Sequence, residues 1–172
     1  MEQKQNLAPP KVDQAGLKSY FAGQPDIVVA YLFGSVARGR AHPHSDVDLA
    51  VLFAPEVGLE ESVERQLQLM GDLEQFADRE VQVTVLNRAT PLLAYQVIKD
   101  SVLLYERDHN ERMRFEVIAI KTYFDLQPMY QLFDRLLAKQ IREEGLGQRR
   151  RNSDLLEAAR RIQERLERVA EN

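Results

Sequence analysis

Four residues in one short stretch could do chemistry together. Gly34-Ser35 ends the apolar run IVVAYLF, and after ten intervening residues Asp46-Val47-Asp48 opens a second apolar run. A glycine at a strand end lets the backbone approach a phosphate with no Cβ in the way, Ser35 offers a hydroxyl, and a turn there turns N–H groups toward an anion. That suits a triphosphate such as ATP. Two carboxylates one residue apart on a strand point the same way, with Cα atoms about 7 Å apart, and can converge on divalent cations. Hard oxygen ligands beside phosphates favour Mg²⁺ or Mn²⁺. Arg38, with Gly39 and Arg40, adds positive charge between the two pairs for phosphate or for a leaving pyrophosphate. A Gly-Ser after a strand is by itself an ordinary turn, and an Asp-x-Asp by itself an ordinary strand end; the chemistry lies in their combination.

The elements that must position these residues follow from hydropathy patterning. Val12, Leu17 and Phe21 predict a short amphipathic helix closing near Gly23, and β-branched and aromatic Ile27 to Phe33 predict a buried strand. Asp46 to Phe53 alternates, which predicts a strand with Val47, Leu49, Val51 and Phe53 on one face and its acids on the other. Leu59, Val63, Leu67, Met70 and Ala77 recur at helical spacings and predict a helix over 58–77 that covers one side of a sheet with these residues. Val81, Val83 and Val85 mark a third strand; Thr90-Pro91 starts a helix to about Asp100; a short strand over 101–105 follows. From about Asn110 to Glu144 a helical pattern carries Met113, Val117, Ile120 and Phe124, then Tyr130, Phe133 and Leu137, with a kink or break expected at Pro128. Its aromatics Tyr123, Phe124, Tyr130 and Phe133 read as core residues. Ser153 caps a last helix, and Leu155, Ala159, Ile162, Leu166 and Val169 form a coiled-coil-like seam on it.

The expected organisation is a leader and short helix over 1–25, an α/β core over 26–108, a helical extension over 109–144, and a basic hinge with a terminal amphipathic helix over 145–172. The chain has 172 residues, 44% of them hydrophobic, enough for one well-buried core. It lacks cysteine, which excludes disulfides, thiolate metal sites and a thiol nucleophile. With 23 basic against 27 acidic residues the net charge is -4, which gives no global attraction to nucleic acid or to anionic membrane. The polar start MEQKQNLAPPKVDQ lacks an apolar targeting region, and no apolar run approaches the roughly 18 residues of a membrane span, so a cytoplasmic protein is expected.

Gly34-Ser35, ten residues, then Asp46-x-Asp48 resembles the signature of the nucleotidyltransferase superfamily related to DNA polymerase beta. The pieces GSVARG, SDVDLAVLF, VTVLNRATPLLAYQVIKDSVLLYERD and RFEVIAIKTYFDLQPMYQLFDRLL resemble, in order and spacing, minimal nucleotidyltransferase (MNT) antitoxins that pair with HEPN-domain RNase toxins. The likeness spans about residues 27 to 140. It implies the minimal nucleotidyltransferase fold, a short mixed β-sheet with flanking helices, here with a helical C-terminal extension. It also implies an antitoxin that binds its HEPN partner and transfers AMP from ATP to the partner's tyrosine hydroxyls. On that resemblance Asp46 and Asp48 hold Mg²⁺ or Mn²⁺, Gly34 and Ser35 bind the β- and γ-phosphates, and Arg38 assists departure of pyrophosphate. The family's usual third carboxylate falls in a segment that here reads VQVTVLN, where Gln82 stands in the acid's place. A neutral amide is no general base, which leaves a binding-only antitoxin as an alternative. Glu80, on the same face two residues earlier, reads as a solvated strand start.

Other residues carry weaker signals. His42 and His44 flank Pro43 in the loop before Asp46, too few ligands for zinc without others, and read as a polar loop. Arg149 to Arg151 read as a solvated hinge. The C-terminal helices are candidate surfaces for homo- or hetero-oligomer contact. A small-molecule nucleotidyltransferase is a third reading, for which the helical residues after Asn110 offer little substrate-binding domain.

Overall fold

The computed structural model describes residues 9–144, in two units that divide between Lys121 and Thr122. In chain order the elements are α1 (Gln14–Ala22), β1 (Ile27–Phe33), α2 (Gly34–Ala37), β2 (Val47–Phe53), α3 (Leu59–Leu73), β3 (Val81–Val85), α4 (Pro91–Asp100), β4 (Val102–Glu106) and α5 (His109–Glu144), with single 3-10 turns at Glu74–Phe76 and Leu86–Arg88. The leader before Pro9, the arginine run and the terminal seam helix lie outside the described residues.

The strands form one mixed sheet in the order β3-β2-β1-β4, with β2 parallel to β3 and β1 antiparallel to both its neighbours. A central strand here is covered on both faces. Val47, Leu49, Val51 and Phe53 of β2 join Leu17 and Phe21 of α1 and Leu69 and Leu73 of α3 in one cluster. Ala50 and Leu52, on the opposite face of β2, are also buried, with Tyr31 of β1 and Val97 of α4, and Phe115 of α5 packs against them. The expectation that β2 is apolar on one face only is therefore corrected: on the second face only Asp48, near its start, is an acid, and Asp46 precedes the strand. Polar side chains tie the layers. Asn87 Nδ2 donates to the Phe53 carbonyl at 3.0 Å while its Oδ1 accepts from the Phe53 N–H at 2.9 Å, replacing a strand rung. Tyr31 donates to Glu116 at 2.7 Å; Arg112 pairs with Glu116 and Glu106, which fastens the start of α5 to β1 and β4.

Four helical expectations change. The predicted helix over 58–77 ends as α3 at Leu73, and the face it buries is Ser62, Leu69 and Leu73, with Gln66 beside it; of the predicted stripe, Met70 and Ala77 pack against the core. Leu59 and Leu67 are 69% and 66% exposed. The reason is that the polar residues turned inward on α3 are satisfied: buried Ser62 Oγ donates to the Leu59 carbonyl at 2.7 Å, and half-buried Gln66 Nε2 donates to the Val83 carbonyl at 2.6 Å. Val12, placed in the first helix by its spacing, forms instead an isolated antiparallel bridge with Ala77, and Asp13 caps α1 by accepting from the Gly16 N–H. On α5, Met113, Val117 and Phe124 face solvent, so Phe124 is no core residue; the face turned to the sheet carries Arg112, Phe115, Glu116 and buried Ala119. The break expected at Pro128 does not occur, because α5 runs through it. A proline removes one rung of the ladder, and the rungs on either side persist. In the second unit Tyr123 and Tyr130 stack with centroids 6.1 Å apart.

Candidate functional site

The chemistry-bearing residues meet at one end of the sheet. Phe33 closes β1 opposite Asp48 in the β1–β2 register, and the chain turns at once into Gly34. Gly34 has φ +75°, a left-handed conformation that glycine adopts without penalty. A Cβ built there would lie 2.0 Å from Asp48 Oδ2 and 2.8 Å from its Cγ. The bare glycine is what allows the Asp48 carboxylate to lie against the turn. Ser35 follows in the single turn α2, and its carbonyl accepts from the Arg40 N–H at 2.9 Å, which folds the start of the connection back on itself.

The rest of that connection is braced by its own polar groups. The Ser45 hydroxyl accepts from the His42 N–H at 2.9 Å while the Ser45 N–H donates to the His42 carbonyl at 2.9 Å. Arg79 Nε donates to the Pro43 carbonyl at 3.1 Å. The turn delivers Asp46 immediately before β2, where the Val47 N–H donates to the Glu80 carbonyl at 2.9 Å. Asp46 and Asp48 are half-buried, on the sheet face that α4 and α5 cover. Burial raises the Asp48 pKa above the ordinary carboxylate value, the negative charge of Asp46 raises it further, and Arg38 opposes the rise.

Gln82 stands directly across from Asp48 in the parallel β2–β3 register, and its Nε2 donates to Asp46 Oδ2 at 2.8 Å. The amide orientation is fixed by chemistry, since the reverse would set two oxygens against each other. Glu80 is exposed and enters the site only through its backbone carbonyl. Arg38 reaches toward Asp100, the last residue of α4, with NH1 to Oδ2 at 3.9 Å. Asp100 was not singled out by sequence reasoning. One signal existed: an acid at a helix C-terminus opposes the helix dipole and so points to a role outside the helix. His42 and His44 are exposed in the braced loop. Among the described residues no group of three or more His, Asp or Glu side chains could hold a metal. Asp46 and Asp48 together therefore fit a divalent ion whose other ligands are phosphate oxygens and water, as Mg²⁺ prefers. Among the described residues no helix is long and apolar enough to cross a membrane.

The chain is similar to several known proteins. The family described as Polymerase beta, Nucleotidyltransferase matches residues 16–110, from within α1 to the start of α5. The protein adenylyltransferase MntA of Shewanella oneidensis is 31% identical over 103 residues, which cover 60% of this chain and 70% of that protein. A chain in the crystal structure of a toxin-antitoxin with AMP-PNP superposes with a TM-score of 0.57 at 27% identity, over 73% of this chain and 99% of that one. A chain in a complex of tri-AMPylated Shewanella oneidensis HEPN toxin with MNT antitoxin superposes with a TM-score of 0.52 at 25% identity, over 72% and 98%.

Proposed function

This chain belongs to the Polymerase beta nucleotidyltransferase family, and from that premise we propose that it is the antitoxin of a HEPN/MNT pair, which binds a HEPN RNase and transfers AMP from ATP to tyrosine hydroxyls of that toxin. The observation that carries the reading is the bare glycine turn against Asp48, with Asp46 beside it. The adenylyltransferase relative and the AMPylated toxin in a similar complex support the substrate and the partner. Leu59 and Leu67 on α3 and Met113 and Val117 on α5 add apolar surface of the kind a protein partner covers.

The roles follow from position. Asp46 and Asp48 would hold Mg²⁺ or Mn²⁺, which when bound supplies charge neutralisation for the triphosphate. Gly34 and Ser35 receive the β- and γ-phosphates at the turn, where no side chain stands in the way at position 34. Arg38, half-exposed near Asp100, faces the charge that develops on departing pyrophosphate. In the transfer the tyrosine oxygen bonds to the α-phosphorus, the bond from that phosphorus to the bridging oxygen breaks, pyrophosphate leaves with the electron pair, and the phenolic proton passes to solvent. Catalysis of this kind rests on positioning and electrostatics.

The test is incubation of the full chain, its HEPN partner, Mg²⁺ and ATP labelled at the α-phosphate. Label on the partner that disappears in the Asp46→Asn, Asp48→Asn double variant is expected; no label with the metal in excess overturns the transfer. The second reading, neutralisation by binding alone, is favoured by the neutral amide of Gln82 in contact with Asp46. It predicts that the same double variant still silences the toxin.

A further inference from the structure

We propose that this centre holds a single divalent ion with its nucleotide, and that Gln82 sets that number by fastening Asp46 and supplying no third acid. The inference rests on the nucleotide-site reading above and goes beyond it to the stoichiometry of the metal.

The donor inventory argues for it. A Mg²⁺ or Mn²⁺ ion takes about six oxygen ligands, and beside a triphosphate one or two protein carboxylates complete its shell with water. Asp46 and Asp48 supply two carboxylates, and among the described residues no third His, Asp or Glu joins them in a group able to hold a metal. A second ion would have to share those carboxylate oxygens or recruit the residue across the register, which is Gln82. The Gln82 amide already donates through Nε2 to Asp46 Oδ2 at 2.8 Å. One oxygen of Asp46 is thus occupied by a proton donor, which competes with any cation approaching from the β3 side. Turning the amide to offer its carbonyl would forfeit that bond and place Oε1 against Oδ2. Glu80, exposed, stands two residues earlier, just before β3 and about 7 Å back along the chain. One ion, held mainly through Asp48 and the second oxygen of Asp46, is what this arrangement accommodates, so Gln82 acts as a positioning residue for Asp46.

The consequence for the reaction is that the nucleotide is held without a second cation beside the attacking hydroxyl. Replacing the amide by an acid removes the donor and adds a third carboxylate on the same register position. The experiment counts Mn²⁺ bound per full-length chain, by electron paramagnetic resonance and by calorimetry, in the presence of saturating ATP analogue with a methylene group between the α- and β-phosphorus. One ion is expected for the natural chain and two for Gln82→Asp and Gln82→Glu. Gln82 is exposed on an edge strand, so both acids are tolerated sterically, and circular dichroism verifies that each variant is folded. Two ions in the natural chain, or one ion in both folded acid variants, overturns the inference while leaving the nucleotide site intact. No bound Mn²⁺ and no bound analogue overturns both the inference and the nucleotide-site reading.

Discussion

Gly34→Ala separates a backbone effect from a site effect because a second glycine provides the reference. At Gly34 the added Cβ would stand 2.0 Å from Asp48 Oδ2, where ordinary contacts begin near 3.4 Å, so the carboxylate must swing away by more than an ångström. At Gly39, with φ +65°, the added Cβ meets no atom within 4 Å among the described residues. Both alanines pay the left-handed backbone cost of about 1–2 kcal/mol, and for a chain of this size that lowers the melting temperature by about 2–8 °C. Only Gly34→Ala displaces the Asp48 carboxylate, the group proposed above to hold the metal. Disturbing the support of a ligand typically weakens metal affinity about 10- to 100-fold. The assay is thermal denaturation of both variants together with calorimetric titration of Mg²⁺ and an unreactive ATP analogue. The expected result is at least as much destabilisation in Gly34→Ala as in Gly39→Ala, with nucleotide affinity falling at least tenfold further in Gly34→Ala. Equal nucleotide affinity in the two variants refutes the claim that the glycine gap seats Asp48 for binding.

Further predictions follow from the same residues. Burial and the charge of Asp46 raise the Asp48 pKa, so the folded chain binds a proton there more readily than the unfolded chain; the stability this contributes is present at acid pH and is lost as pH rises through the folded pKa. Asp48→Asn should therefore melt higher than the natural chain at neutral pH, with the advantage fading below the ordinary carboxylate pKa of about 4. Repulsion across about 7 Å at an effective dielectric of about 40–80 gives about 0.6–1.2 kcal/mol, or about 1–5 °C; a lower melting point at neutral pH contradicts the electrostatic reading. Arg38→Ala should weaken binding of inorganic pyrophosphate with Mg²⁺ about 5- to 30-fold, the loss of one charge-assisted contact, and unchanged binding in a calorimetric titration removes Arg38 from the site. On α3, Leu69→Ala should cost about 2–5 kcal/mol while Leu67→Ala stays within about 0.5 kcal/mol, read by urea denaturation; the reverse order would return α3 to the face its spacing suggested.

How far the sequence discloses this molecule depends on whether the signal is local. The run Ile27 to Phe33, Gly34-Ser35 and Asp46-x-Asp48 are local, and they place β1, the turn and the start of β2 within a residue. Faces of helices are not local. Leu59, Val63 and Leu67 make a cleaner apolar stripe than Ser62, Gln66, Leu69 and Leu73, yet the second set is the one turned inward, because Ser62 and Gln66 find backbone acceptors that hydropathy does not register. The same happens on α5, where Arg112 and Glu116 sit on the inner face because Glu106 and Tyr31 pair with them from β4 and β1. At the site, the type of residue at position 82 is visible in the sequence, but its hydrogen bond to Asp46 requires the β2–β3 register. The Arg38 to Asp100 approach joins residues more than sixty positions apart, and only the end of α4 brings them together.

The most direct measurement of the central claim is the intact mass of the HEPN partner, denatured away from this chain after co-expression, with and without the Asp46→Asn, Asp48→Asn pair. Each transferred AMP adds about 329 Da, an increment set by the chemistry of the transfer. The account predicts one or more such increments on the partner with the natural chain and none with the double variant. A partner of unaltered mass, held in an inactive complex by both forms alike, would contradict transfer and leave the fold as a binding module.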